Sequence, residues 1–220
     1  MNGSRPTVPA AGGDRTVGAR PGPSRRFFVG CAAGIGIGLA LDACSSSSAP
    51  SPYAGDLRRV ALAAALENQA VNAYRAVQAA LRAGRSGPEI PALAAFVQTA
   101  MDHHSRHAAT WNTILRDARK PVVSAVPLSG HARLMKEIAA ATSTAEVASA
   151  VQRLETQAAQ THLATAGTLT GTGAAVLAAA TIAPVEAMHA AALGYLLSGR
   201  SEVAGFLGTA EAMPISELTA

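Results

Sequence analysis

The sequence predicts an all-α fold, an antiparallel four-helix bundle with a long crossover between its second and third long helices. Three observations predict it. Aromatic residues are only 4% of an alanine-rich chain, and its apolar side chains recur three, four and seven positions apart rather than alternating. Glycine and proline clusters cut the chain into four long segments, with short links inside each pair and a long link between the pairs. No hairpin dipeptide sits between alternating runs, so no strand pair is signalled.

The elements follow in chain order. Residues 1–44 read as an address rather than a fold. Ser24-Arg25-Arg26-Phe27-Phe28 is a twin-arginine motif. Residues 27–41 form a charge-free apolar run of 15, short of the roughly 20 residues that a membrane-spanning helix needs and suited to a signal h-region. The segment Leu41-Asp42-Ala43-Cys44 resembles the bacterial lipobox, whose cysteine becomes a lipidated N-terminus. Asp42 stands where that motif carries a small or apolar residue, and the rival reading is cleavage after Ala43 without a lipid. Cys31 falls in the h-region, so the mature chain has no disulfide and folds by packing alone. Residues 45–54 form a Ser/Pro linker.

The first long helix covers residues 55–83 and stops at the glycines between 84 and 87. The second begins near Glu89 and ends before Pro121. A proline-containing loop over residues 120–130 leads into a short helix near 131–140. Ser143-Thr144-Ala145-Glu146 has capping-box spacing and opens the third long helix, which fades at the glycines of 171–173. The fourth extends to Gly199, with a kink or a restart expected at Pro184. The bundle domain is therefore residues 55–199, followed by a tail over residues 200–220.

Charge follows the same division. Five arginines and two aspartates in residues 1–44 carry +3 of the chain's net +4, leaving +1 on the mature part. The pI of 9.6 comes mostly from the leader and gives no support to nucleic-acid binding.

Within the bundle a polar pattern occurs twice. Leu66-Glu67-Asn68-Gln69-Ala70 returns as Leu154-Glu155-Thr156-Gln157-Ala158. At an offset of 37 from the first comes His104-Ser105-Arg106-His107-Ala108-Ala109, and at an offset of 31 from the second comes Glu186-Ala187-Met188-His189-Ala190-Ala191. A carboxylate on one helix and a ligand pair three residues apart on the next is how metal sites are built in bundle cores. Each candidate lies on its helix's apolar stripe, Glu67 with Val60, Ala63 and Tyr74, and His104 with Val97 and Trp111. Counted from each hairpin turn at about 1.5 Å per residue, the candidates of a pair fall within about one helical turn of a common level. Three buried carboxylates without partners would cost several kcal/mol apiece. A cation removes that cost, and so does a closed network with the histidines. His162 shares the stripe of Glu155 as a further ligand or a polar core residue. His103, paired with His107 at i, i+4, points off the stripe. Tyr74 is expected to cap the cavity by packing and one hydrogen bond.

At these residues the chain resembles the ferritin-like superfamily, most closely the ferritin-like domain of exported and desiccation-related bacterial proteins. The resemblance implies a glutamate on the first and third helices and Glu-x-x-His on the second and fourth. It assigns Glu67, Glu155, Glu186, His189 and His107 as metal ligands and puts His104 where a bridging glutamate belongs. It further implies bound iron, one or two ions, or another divalent metal such as zinc or manganese. With His104 in place of a carboxylate, an N-richer or mononuclear site is expected. The expected protein is exported through the twin-arginine translocase and lipid-anchored through Cys44 at the outer face of the cytoplasmic membrane. Fe(II) oxidation or peroxide consumption is the activity such a site suggests, though no catalytic residue is marked. Anchoring disfavours a storage cage and admits a homodimer. The alternative is a non-enzymatic envelope scaffold or stress-protection protein. A nucleophilic hydrolase is excluded, because no activated serine or cysteine stands beside a base.

Overall fold

The computed structural model describes residues 50–88, 90–171, 173–199 and 206–220. Arg25, Arg26 and Cys44 lie outside the described residues, as do the rest of the leader, residues 45–49 of the linker and Glu89. The described residues fold as five α-helices: α1 (Asp56–Arg82), α2 (Pro91–Asp117), α3 (His131–Ala140), α4 (Thr144–Thr168) and α5 (Gly173–Ser198), with a 3-10 turn at Ile215–Glu217. No strand occurs among them, only an isolated bridge between Leu128 and Leu218.

Local chemistry sets the helix ends. Pro91 opens α2 at the first helical position, where its missing N–H costs nothing, so the helix begins just past the expected Glu89. Ser143 and Glu146 form the expected capping box on α4. At the other end of that helix, Asp56 accepts the backbone N–H groups of Thr170 and Gly171 at 2.8 and 2.7 Å, tying the second hairpin's turn to the start of α1. Of the kink or restart expected at Pro184, no restart occurs: α5 is one helix from Gly173 to Ser198 with Pro184 inside it. Pro184 lies on the exposed face, where a carbonyl freed by the missing N–H meets water rather than apolar core.

Tight α1–α2 and α4–α5 hairpins are joined by the crossover, residues 118–143, which contains α3. Asn112 and Asn68 hold the crossover down. Asn112 accepts from Val123 N at 2.8 Å, and both side chains donate to the Val123 carbonyl. The C-terminal segment closes on the same strap, with Thr219 N donating to Pro127 O at 2.9 Å.

The core is split into two apolar clusters. One holds Leu66, Val77, Val97, Val151 and Leu193. The other holds Val60, Trp111, Leu115, Val123 and Ile182. Along α1, α2 and α5 the change from one cluster to the other falls at Glu67, at His104 to His107 and at Glu186 to His189. A polar layer therefore crosses the bundle between two apolar ones, which seal it from either end.

Candidate metal centre

Each long helix contributes to that layer: α1 Glu67, α2 His104 and His107, α4 Glu155 and His162, α5 Glu186 and His189. Glu67, His104, Glu155, His162 and Glu186 are at most 1% exposed. The residues form two overlapping groups, Glu67, His104, His107 and Glu186, then His104, Glu155, Glu186 and His189. Within each, one donor atom per residue lies within 4.8 Å of the others. The groups share His104 and Glu186.

His104 is the hub. Its Nδ1 lies 2.7 Å from Glu67 Oε2 and 3.5 Å from Glu186 Oε1, and its Nε2 lies 3.0 Å from Glu155 Oε1. His107 Nδ1 is 2.7 Å from Glu186 Oε1, and His189 Nδ1 is 3.0 Å from Glu186 Oε2. Tyr74 donates its hydroxyl to Glu155 Oε1, the single hydrogen bond expected of it, and its ring lies against His104 at 5.6 Å.

Proton affinities follow from this crowding. Burial alone would lower the His104 imidazole, but the charges of Glu155 and Glu186 and hydrogen bonds to Glu155 and Glu67 push it well above its ordinary value. Burial is likewise outweighed at His107 and His189, which are pushed up to about 9. Burial would raise Glu67, yet its hydrogen bond with His104 and its close approaches to His107 and His162 hold it well below the usual carboxylate range. Glu155 is lowered too, since the charge and hydrogen bond of His104 and the nearby charge of His189 overcome its burial. Burial and the Glu155 charge push the Tyr74 phenol well above its usual value. Without a metal, imidazolium protons therefore supply the positive charge that the carboxylates need.

His162 sits outside both groups. Its Nε2 approaches Glu67 Oε1 at 2.7 Å, close enough for an ion pair but too poorly aligned for a hydrogen bond. Its Nδ1 is buried without a hydrogen-bond partner, and the Trp111 ring lies nearly parallel to it at 5.6 Å and 9°. His162 thus contacts the Glu67 oxygen opposite the one that meets His104. Glu155 Oε2 and Glu67 Oε1 also lack an aligned hydrogen bond. Unused lone pairs on two buried carboxylates, in a layer rich in imidazole, fit a transition cation.

The sequence pattern underrated His103. It is half-buried, and its Nδ1 lies 3.0 Å from His189 Nε2. Its i, i+4 spacing from His107 was the available signal. Asp102 is exposed and accepts from Gln98 instead. His131 is half-buried at the start of α3 and belongs to neither group.

A helical bundle with a buried Glu/His layer defines the class. The chain belongs to the ferritin-like domain family, whose model matches residues 55–199. Neither the curated proteins nor the solved structures compared with the chain contain a match.

Proposed function

We propose that the protein binds a divalent transition metal in the core of its bundle, with iron the first candidate and zinc or manganese the alternatives. The observation that carries the proposal is the pair of overlapping four-residue groups, drawn from all four long helices and sharing His104 and Glu186. Three carboxylates with three imidazoles make a donor set that suits such cations, and fewer carboxylates than a di-iron site favour one ion over two. When bound, the cation supplies the positive charge now carried by imidazolium protons and, if it is iron, a redox centre for Fe(II) oxidation or peroxide consumption. The chain's own part is to hold Glu67 and Glu155 ionised, to place Glu186 between His107 and His189, to offer His104, His107 and His189 after they lose protons, and to exclude water between two apolar layers.

We also propose export and lipid anchoring at the outer face of the cytoplasmic membrane. The support is the twin-arginine motif, the short h-region and Cys44 before a Ser/Pro linker. The twin-arginine route carries folded proteins and so permits metal loading in the cytoplasm. Mass spectrometry of the mature N-terminus tests this part, since an unmodified chain beginning at Ser45 or earlier than Cys44 contradicts it.

A second reading, a metal-free envelope scaffold or stress-protection protein, is favoured by one feature: the histidines and glutamates already pair with each other. Elemental analysis of protein purified from its native envelope separates the two, with anomalous scattering from crystals to place the ion. Metal binding predicts a near-stoichiometric transition metal, lost in Glu186→Ala, together with the stability that binding to the native state confers. Trace metal in the wild type and unchanged thermal stability in Glu186→Ala would leave the scaffold reading standing.

A further inference from the structure

The four innermost donors are sealed, with Glu67 1% exposed and His104, Glu155 and Glu186 fully buried. A cation from solvent therefore has to cross protein to reach them. Among the grouped residues, exposure rises toward the seam between α2 and α5, where the side chains of His189 and His107 are 8% and 14% exposed. Half-buried His103 stands beside them. It precedes His104 by one residue and so is turned about 100° around α2, away from α1.

The contacts form a file. His103 Nδ1 meets His189 Nε2 at 3.0 Å. The two rings are 13° from parallel with centroids 5.2 Å apart, the arrangement of an edge-to-edge N–H···N bond. The other nitrogen of His189 faces inward, 3.0 Å from Glu186 Oε2 and 3.4 Å from Glu155 Oε2. The His107 ring lies 6.3 Å from His103, and its Nδ1 also reaches Glu186. Imidazoles thus lead from the half-buried edge to the buried carboxylates.

We propose that His103 is the outer ligand of an access route at the α2–α5 seam, taking a divalent transition cation from solvent and passing it to His189 and His107. The inference rests on the metal-binding function proposed above. The step is ligand exchange without electron transfer. His103 replaces one water of the hydrated ion and then gives way to His189 as the ion moves inward, the water returning to solvent. An imidazole at the mouth favours Fe(II), Co(II) or Zn(II) over Mg(II) and Ca(II), which prefer oxygen donors.

Stopped-flow uptake of Co(II), followed by its visible absorption, tests the route on the mature chain after chelation. His103→Ala and His103→Phe are expected to slow association severalfold, because the hydrated ion then loses the first imidazole donor on its way inward. The final stoichiometry and absorption spectrum should match the wild type. His103→Cys, which supplies another donor, should recover most of the rate. Unchanged association in both slow-variant candidates overturns the route. So does a defect confined to faster dissociation, which would make His103 only a support for the His189 ring. If the wild type takes up no Co(II), the metal-binding reading fails and the route falls with it. Normal wild-type uptake with normal variant rates overturns the route alone.

Discussion

Nδ1 of His104 lies 2.7 Å from Oε2 of Glu67, and neither side chain meets solvent. A carboxylate and an imidazole this close, with Glu155 at the ring's other nitrogen, make His104 a buried double donor when protonated. Charge balance therefore has two solutions in the same cage, protons on the histidines or a metal among them. If the layer takes a metal as proposed, protons and metal compete for the same side chains, and its response to pH and to metal follows from that competition.

Consider pH first. His107 and His189 rise from an ordinary 6.5 to about 9 in the folded, metal-free protein. A raised value means that the folded state holds the proton more tightly than the unfolded chain does. Their stabilisation is therefore complete below pH 6.5 and fades as pH climbs through 9. Glu67 and Glu155 work the other way. Both are lowered from 4.5, so their contribution is present above that pH and lost on acidification. Thermal unfolding in chelator should show greatest stability between the two ranges and decline from pH 6.5 toward 9. Added metal should raise the midpoint more at the alkaline end, because the imidazoles no longer have to release protons. A flat profile in chelator over that interval contradicts the assignment.

Tyr74 offers a narrower test. Its hydroxyl bonds the buried Glu155, while its ring packs on His104 and meets Phe96 edge-on at 6.2 Å. Tyr74→Phe keeps both ring contacts and removes only the donor. A hydrogen bond to a charged group contributes roughly 1.5–3 kcal/mol, so the metal-free variant should lose about 2 kcal/mol. Urea unfolding should show a lower midpoint with an unchanged slope. An unchanged midpoint would mean that His104 alone satisfies that carboxylate oxygen.

Much of this was legible in the sequence, for physical reasons that also mark the limits. The helical period places Glu67, His104, His107, Glu155, Glu186 and His189 on core stripes, and the repeated spacing brings them to one level. Period fixes the centre of a buried stripe but not its width. In a bundle, α2 faces both α1 and α5, so His103, one position off the stripe, still meets His189. The same limit applies to His162, whose stripe is evident. That it meets the far oxygen of Glu67 depends on side-chain rotamers, which spacing does not encode. No restart occurs at Pro184 because a helix breaker in sequence becomes tolerable on an exposed face, and exposure is a tertiary property.

The capping box separates fold stability from site chemistry. Ser143 accepts from Glu146 N at 3.2 Å, and Glu146 accepts from Ser143 N at 3.2 Å and Thr142 N at 2.7 Å. Ser143→Ala should cost about 1 kcal/mol. The cap lies twelve residues before Glu155, about 18 Å along the helix, so the loss should be equal with and without metal. A loss that differs between the two conditions would mean that the end of α4 is coupled to the metal layer.

The sharpest test exchanges the hub. His104→Glu replaces the buried double donor with a fourth carboxylate. In the metal-free protein Glu67 and Glu155 then lose their shared partner and gain a like charge, which should cost on the order of 3–5 kcal/mol. In the metal-bound protein the same change supplies a bridging donor and a balancing negative charge. Binding should therefore tighten, and Co(II) titration should move toward two ions per chain. The variant should be markedly less stable than the wild type in chelator and recover that loss on adding metal. Equal stability in chelator would show that His104 carries no essential charge in the empty layer. Unchanged stoichiometry would show that the bundle's spacing, rather than the missing carboxylate, limits the number of ions.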